Sequence, residues 1–298
     1  MKRRGFLALA AALAMAACAS APPAAPVGAF QSDRISVVTR GQGPDVILVH
    51  GMSSHRDVWE AAASQLEGRY RLHLVQMNGF AGVPAGANAE GAVAAPVAEE
   101  IARYIDEAQL DRPALIGHSM GGAVAMMIAA RHPNSVGKLM VVDMVPFMGV
   151  MFAGPSATPA QVAPIAEAIR GQMRAAPPGT ITPVLRQTIE GMVRTESARA
   201  RVLEQARTSN IGVTANTFHE LLTTDLRPEL ANIRAPLTVL YVIPPNLPIT
   251  PEQYDAVVRV SFANAPDARL VKIEDSYHFI MIDQFDRFMS EVRTFLEG

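Results

Sequence analysis

Gly117-His118-Ser119-Met120-Gly121-Gly122 lies between a short apolar strand pattern ending at Ile116 and a helix pattern over residues 121–131. A serine with glycine two residues before and two after, at a strand-to-helix junction, confines the chain to a sharp βα turn. Side chains at 117 and 121 would crowd so tight a bend. The turn lifts the Ser119 hydroxyl above the sheet, at the N-terminus of the next helix, where the helix dipole favours a developing oxyanion. The competing account is a glycine-rich turn that only packs. The strand-turn-helix context argues against it.

The rest of the chain alternates strand-like and helix-like segments, the pattern of an α/β sheet. Residues 34–39 alternate polar and apolar, and a buried strand over 45–49 runs into His50-Gly51-Met52-Ser53-Ser54. A helix is predicted over 57–66, a strand over 70–75 and a Gly/Ala-rich loop over 78–95. An amphipathic helix over 97–108 and a short strand over 113–116 lead to the serine turn. The helix over 121–131 is apolar nearly all round and should be buried. Further strands are predicted over 136–142, 237–243 and 269–273, with a last helix over 284–296. Residues 145–234 carry several helical patterns and no convincing strand, which suggests a helical cap on the sheet's edge. The expected organisation is a leader and tether over 1–26 and one α/β domain over 27–298, with the cap at about 145–234.

A serine hydroxyl needs a base to take its proton, and seven histidines are available. His50 closes a strand, His118 lies within the turn, His132 ends the buried helix and His73 alternates along a strand. His55 begins a helix, and His219 sits in the insertion, where it could face the site. All six read best as capping, packing or surface residues. His278, in Ser276-Tyr277-His278-Phe279, follows the last strand. That puts it at the carboxyl end of the sheet, where ligands gather in open α/β folds.

His50-Gly51-Met52, the 117–122 turn and Tyr277-His278-Phe279 together resemble the three landmarks of the α/β-hydrolase superfamily, in that family's order, over about residues 34–298. The resemblance implies a mostly parallel central sheet flanked by helices, a Ser-acid-His triad and an oxyanion hole built from the backbone N–H groups of Met52 and Met120. Most relatives place the acid after the penultimate strand, but the loop over 244–250 holds no carboxylate. Asp143, ending the strand after the nucleophile, is favoured over Asp255, which falls within a helix pattern. A dyad aided by water or Asn246 is the third arrangement, since the acid's role depends on position and not on chain order. Asn78-Gly79-Phe80-Ala81-Gly82 resembles the family's Asp-x-x-Gly-x-Gly loop with asparagine for aspartate.

These residues imply acyl transfer to water on a small or medium uncharged ester. Carbon–carbon, amide or lactone cleavage and perhydrolysis on the same triad stay open, as does a non-catalytic member that binds a ligand. There is no His-Glu-x-x-His pattern and no phosphate-binding glycine loop after a strand, so no metal or organic cofactor is expected. Of the 15 methionines, those at 120, 126 and 127 read as core filler. Met144, Phe147, Met148, Met151 and Phe152 lead into the cap and could line an apolar acyl or aryl pocket.

With 49% hydrophobic residues, 18% charged residues and a net charge of -2 over 298 residues, the chain can bury a large core. Its scattered Lys and Arg give no basic stripe for nucleic acid. The expected partner is a small molecule; composition leaves oligomeric state open. The one cysteine, Cys18, excludes a disulfide framework. Met1-Lys2-Arg3-Arg4 followed by the apolar run 6–17 is shorter than the roughly 20 residues a membrane span needs and reads as an export signal. Arg3-Arg4-Gly5-Phe6-Leu7 resembles a twin-arginine signal. Met15-Ala16-Ala17-Cys18 resembles a lipobox with an unusual methionine, which would make Cys18 a lipid anchor to the membrane. Simple cleavage near residues 19–21 would instead release a soluble periplasmic protein. Residues 20–26 form an Ala/Pro-rich tether.

Overall fold

A computed structural model describes residues 30–245 and 249–298. The leader, Cys18, the 20–26 tether and Asn246 lie outside the described residues.

The strands are β1 (Ile35–Arg40), β2 (Asp45–Val49), β3 (Arg71–Met77), β4 (Ala114–His118), β5 (Lys138–Val142), β6 (Leu237–Tyr241) and β7 (Arg269–Lys272). The helices are α1 (Glu60–Leu66), α2 (Ala94–Glu107), α3 (Met120–Arg131), α4 (Val150–Ala153), α5 (Pro159–Ala175), α6 (Pro183–Met192), α7 (Glu196–Thr208), α8 (Ile211–Thr223), α9 (Pro251–Ser261), α10 (Ile280–Asp283) and α11 (Phe285–Glu297). The sheet runs in the order β1-β3-β2-β4-β5-β6-β7. Only β1 is antiparallel, on β3.

Unbroken apolar strands suit a sheet covered on both faces. Ile47, Val49, Leu115, Leu139 and Val141 pack with α2, α3 and α9 on one face. Val46, Leu48, Ile116, Met140 and Val142 pack with α1 and α11 on the other. From β2 the chain steps outward to β3, then returns to the opposite side of β2 to form β4. That reversal opens a crevice at the carboxyl ends of β2 and β4, the usual ligand site of open α/β sheets. With Val49 opposite Gly117 and His118 opposite Val142, the loops after β2, β4 and β5 emerge side by side.

Between β5 and β6 the described chain contains α4–α8 and a 3-10 turn, Glu229–Asn232, and no strand. Several expected elements differ in detail, two of them beyond a shift of bounds by one or two residues. The 57–66 helix is a 3-10 turn, Arg56–Trp59, followed by α1. Helix α2 starts at Ala94, three residues before the predicted start, within the stretch expected to be loop. Its N-cap, Val93, has no side chain able to cap. The buried carboxylate of Glu220 on α8 does so from a distance, accepting the N–H groups of Val93 (2.6 Å), Ala94 (2.7 Å) and Ala95 (2.8 Å). A negative group on the first free amides of a helix satisfies them and complements its dipole.

Glu220→Ala should therefore lower stability to urea by about 2–3 kcal/mol, because it orphans buried donors bonded to a charged acceptor. Glu220→Gln should recover part of that loss. An unchanged urea midpoint in Glu220→Ala would refute the capping role.

Candidate active site

Two glycines make the β4–α3 turn possible. A Cβ on Gly117 would sit closer than 3.0 Å to the carbonyl oxygen of Gly121, and one on Gly121 equally close to those of Val49 and His50. These obstacles are backbone, so they cannot swing aside. Ser119 adopts φ 54° and ψ −124°, a conformation that costs a non-glycine residue on the order of 1–3 kcal/mol. Surrounding hydrogen bonds hold it there. Its N–H donates to Val142 O (2.9 Å), and its carbonyl accepts from the N–H of Gly122 (2.7 Å) and of Ala123 (3.2 Å).

Positive φ recurs beside it. Ser53 (φ 55°) follows β2, Asp143 (φ 52°) follows β5 and Asp275 (φ 57°) follows β7. With Ser119, these are four of the seven described non-glycine residues with positive φ. Backbone strain is concentrated at the carboxyl end of the sheet, where pre-organised sites keep it.

His278 and Asp143 meet there. His278 Nδ1–H donates to Asp143 Oδ2 at 2.6 Å, and Asp143 Oδ1 accepts the Val242 N–H at 3.1 Å. The Asp143 N–H donates to Leu240 O at 2.7 Å, so β6 and the residue after it hold Asp143 by backbone and side chain. Asp255, the other candidate acid, is engaged elsewhere, accepting from Tyr241 Oη (3.1 Å) and Lys272 Nζ (3.3 Å). Among the described residues, no hydrogen bond joins the Ser119 hydroxyl to His278. Such bonds commonly tighten only when substrate is bound.

His118, read from sequence as a packing residue, also has a positioning contact. Its ring lies 4.6 Å from that of His278, centroid to centroid, and its Nε2–H donates to the His278 carbonyl at 3.0 Å. Burial, reinforced by the His278 charge, holds the His118 imidazole well below the usual histidine range. His50 is fully buried: Nδ1–H donates to Gly51 O (2.7 Å) and Nε2 accepts the Met77 N–H (3.0 Å). Burial lowers its pKa to about 4.

The amides of Met52 and Met120 donate to no protein acceptor among the described residues. Gly51 brings their two loops together, since a Cβ there would lie 3.0 Å from Ser119 Cβ. Next to Met52, Ser53 Oγ meets Thr214 Oγ1 of α8 at 3.1 Å, linking the cap to this loop. Sequence reasoning missed that contact, because nothing local relates residues 161 positions apart. His219, considered as facing the site, instead lies 3.6 Å from Glu167 on α5. The expected apolar cluster divides. Phe147 is fully buried beneath the Arg227 guanidinium, Met144 and Met148 pack on the core, and Met151 and Phe152 line a separate cavity against α9.

A mostly parallel, doubly covered sheet with a strained serine turn after its central strand defines the α/β-hydrolase fold. The sequence profile of the alpha/beta hydrolase family matches residues 46–291, and the chain belongs to that family. It is 26% identical over 279 residues to a pimeloyl-[acyl-carrier protein] methyl ester esterase of Aeromonas hydrophila, covering 88% of this chain and 99% of that one. Its fold is shared with an esterase from Exiguobacterium antarcticum (TM-score 0.71, 20% identity, 89% of this chain and 96% of that one). An enol-lactonase from Burkholderia xenovorans is similar to the same degree (TM-score 0.69, 17% identity, 89% and 96%).

The buried histidines carry a pH signature. His50 binds its proton less readily folded than unfolded, so its contribution is intact above about pH 6.5 and is lost as pH falls toward 4. That loss reaches about 3 kcal/mol, and His118 adds to it in the same direction. The urea midpoint should begin to drop near pH 6.5, above the range in which carboxylates protonate. A midpoint flat from pH 7 to 5 would contradict neutral burial of these rings.

Proposed function

We propose that the chain is a serine esterase acting on a small or medium uncharged ester. Ser119 Oγ attacks the ester carbonyl carbon while His278 Nε2 takes its proton. The tetrahedral oxyanion is held by the N–H groups of Met52 and Met120. Collapse expels the alcohol, which leaves with the proton from His278, and an acyl-Ser119 ester remains. Water then attacks that ester, His278 again accepting and returning the proton, to release the acid and restore Ser119. Asp143 fixes the tautomer: by accepting Nδ1–H it leaves Nε2 free to act as base.

One observation carries the proposal, the 2.6 Å bond between His278 Nδ1 and Asp143 Oδ2 at the sheet end that presents Ser119. The methyl ester named for the Aeromonas relative favours an uncharged ester. A ligand-binding member without catalysis is the competing proposal.

A fluorophosphonate should label Ser119 stoichiometrically, and Ser119→Ala should abolish hydrolysis of p-nitrophenyl and methyl esters. Asp143→Asn should lower kcat by about 10³–10⁴-fold, with Asp255→Asn close to wild type. Absence of labelling would favour the ligand-binding member, and equal effects of the two Asn variants would overturn the acid assignment.

We further propose, from the leader alone, that the protein is exported and anchored through a lipid on Cys18. Cys18→Ala should move it from the membrane fraction to the soluble one. An unchanged distribution would leave cleavage without lipidation as the account.

A further inference from the structure

A cavity of about 470 Å³ opens between α4 and α9. That is the size of a small-molecule site. Its walls are apolar, and four of its residues are among the large hydrophobic side chains the described chain leaves exposed: Met151 (36%), Phe152 (42%), Ile249 (38%) and Val260 (55%). Single exposed apolar residues are ordinary, but several gathered round one concavity mark a place that something apolar occupies. Ser119, His278, Met52 and Met120 do not line it.

The cavity has one unpaired polar handle. Tyr254 is 6% exposed in its wall, and its hydroxyl makes no hydrogen bond among the described residues and is not one of their fully buried polar atoms. An accessible, unpaired tyrosine hydroxyl beside an apolar wall can take up a guest's oxygen. Burial, and then the Asp143 carboxylate, raise its pKa, so it keeps its proton and can donate. No Lys, Arg or His lines the cavity, and the neighbouring Arg227 is engaged by Asp225 and by the Pro155 carbonyl, so the wall offers an anion no partner and a neutral guest suits it better.

We propose that this cavity is a second binding site, separate from Ser119, for a neutral amphiphile with one medium-length apolar chain and an oxygen that accepts the Tyr254 hydroxyl proton, an ester or an alcohol. The apolar chain lies between α4 and α9, and its oxygen lies on Tyr254. The site goes beyond the esterase proposal and does not depend on it, because binding here requires no chemistry at Ser119.

The test uses the full chain carrying Ser119→Ala, so that no ester is consumed, with the neutral fluorophore N-phenyl-1-naphthylamine as probe. One probe should bind per chain, and 1-decanol and methyl decanoate should displace it at least tenfold more effectively than decanoate. Ala256→Trp fills the cavity from an exposed position, and it should abolish probe binding while leaving the circular dichroism spectrum and fluorophosphonate labelling of the Ser119 form unchanged. Tyr254→Phe should leave probe affinity intact and weaken decanol about fivefold, the loss of one buried hydrogen bond. Wild type pre-labelled at Ser119 should still bind the probe.

Four results would overturn the proposal. These are probe binding that survives Ala256→Trp, probe binding lost on labelling Ser119, decanoate preferred over decanol, and no probe binding at all. Sedimentation with phosphatidylcholine vesicles, or dimerisation, abolished by Ala256→Trp without one-to-one probe binding would assign the face to a membrane or to a second copy instead. If Ser119 proves unreactive, the esterase proposal fails while the Ser119→Ala binding arm still decides this one.

Discussion

The carboxyl end of β2 and the turn after β4 approach so closely that no side chain fits between them. Gly121 presses against the Val49 and His50 carbonyls and Gly117 against the Gly121 carbonyl, all of them backbone. This packing forces Ser119 into its strained conformation and fixes where its hydroxyl leaves the sheet. Interiors are close-packed and transmit strain, so it is held by the parallel ladders on either side of β4 and by the Val142 carbonyl that receives the Ser119 N–H.

The rest of the site is built to meet that point. Asp143 is anchored to β6 through its amide and to the residue after that strand through its carboxylate, which leaves one oxygen aimed at His278. His278 is held at two places, its ring by Asp143 and its carbonyl by His118. An imidazole held at ring and backbone has little freedom left to lose, which is the pre-organisation the proposed mechanism calls for. A neutral His118 suits that proposal, because a second charged imidazole would repel the cation the mechanism forms on His278.

Helix α8 joins cap and sheet by polar contacts at two places. Along α8, Thr214 reaches the loop that carries Met52, and Glu220 closes the N-terminus of α2. Val213, on the same helix, packs so near Gly79 that any side chain there would collide with it. A displacement of α8 would therefore be felt at both the Met52 loop and the flanking helix.

The geometry of the serine turn was legible because its constraints are local: glycine, serine and glycine at fixed spacing, between a strand and an apolar helix, are a statement about backbone clearance. The alternation of strands and helices, and the two covered faces, followed from unbroken apolar runs. Position at the end of the last strand singled out His278. The sequence favoured Asp143 over Asp255 by its place at a strand end but could not bring either to His278, because that proximity depends on how β5, β6 and the 273–279 loop converge. The start of α2 was hidden for the same reason, its cap being supplied by Glu220 from a helix far along the chain. The cap's apolar residues could be recognised, but whether each filled the core or lined a cavity was not a property of any one of them. Periodicity and turn chemistry act between neighbours in sequence and belong to the chain by itself. Contacts among groups far apart in sequence exist only once the loops have closed, and the tertiary structure alone decided those.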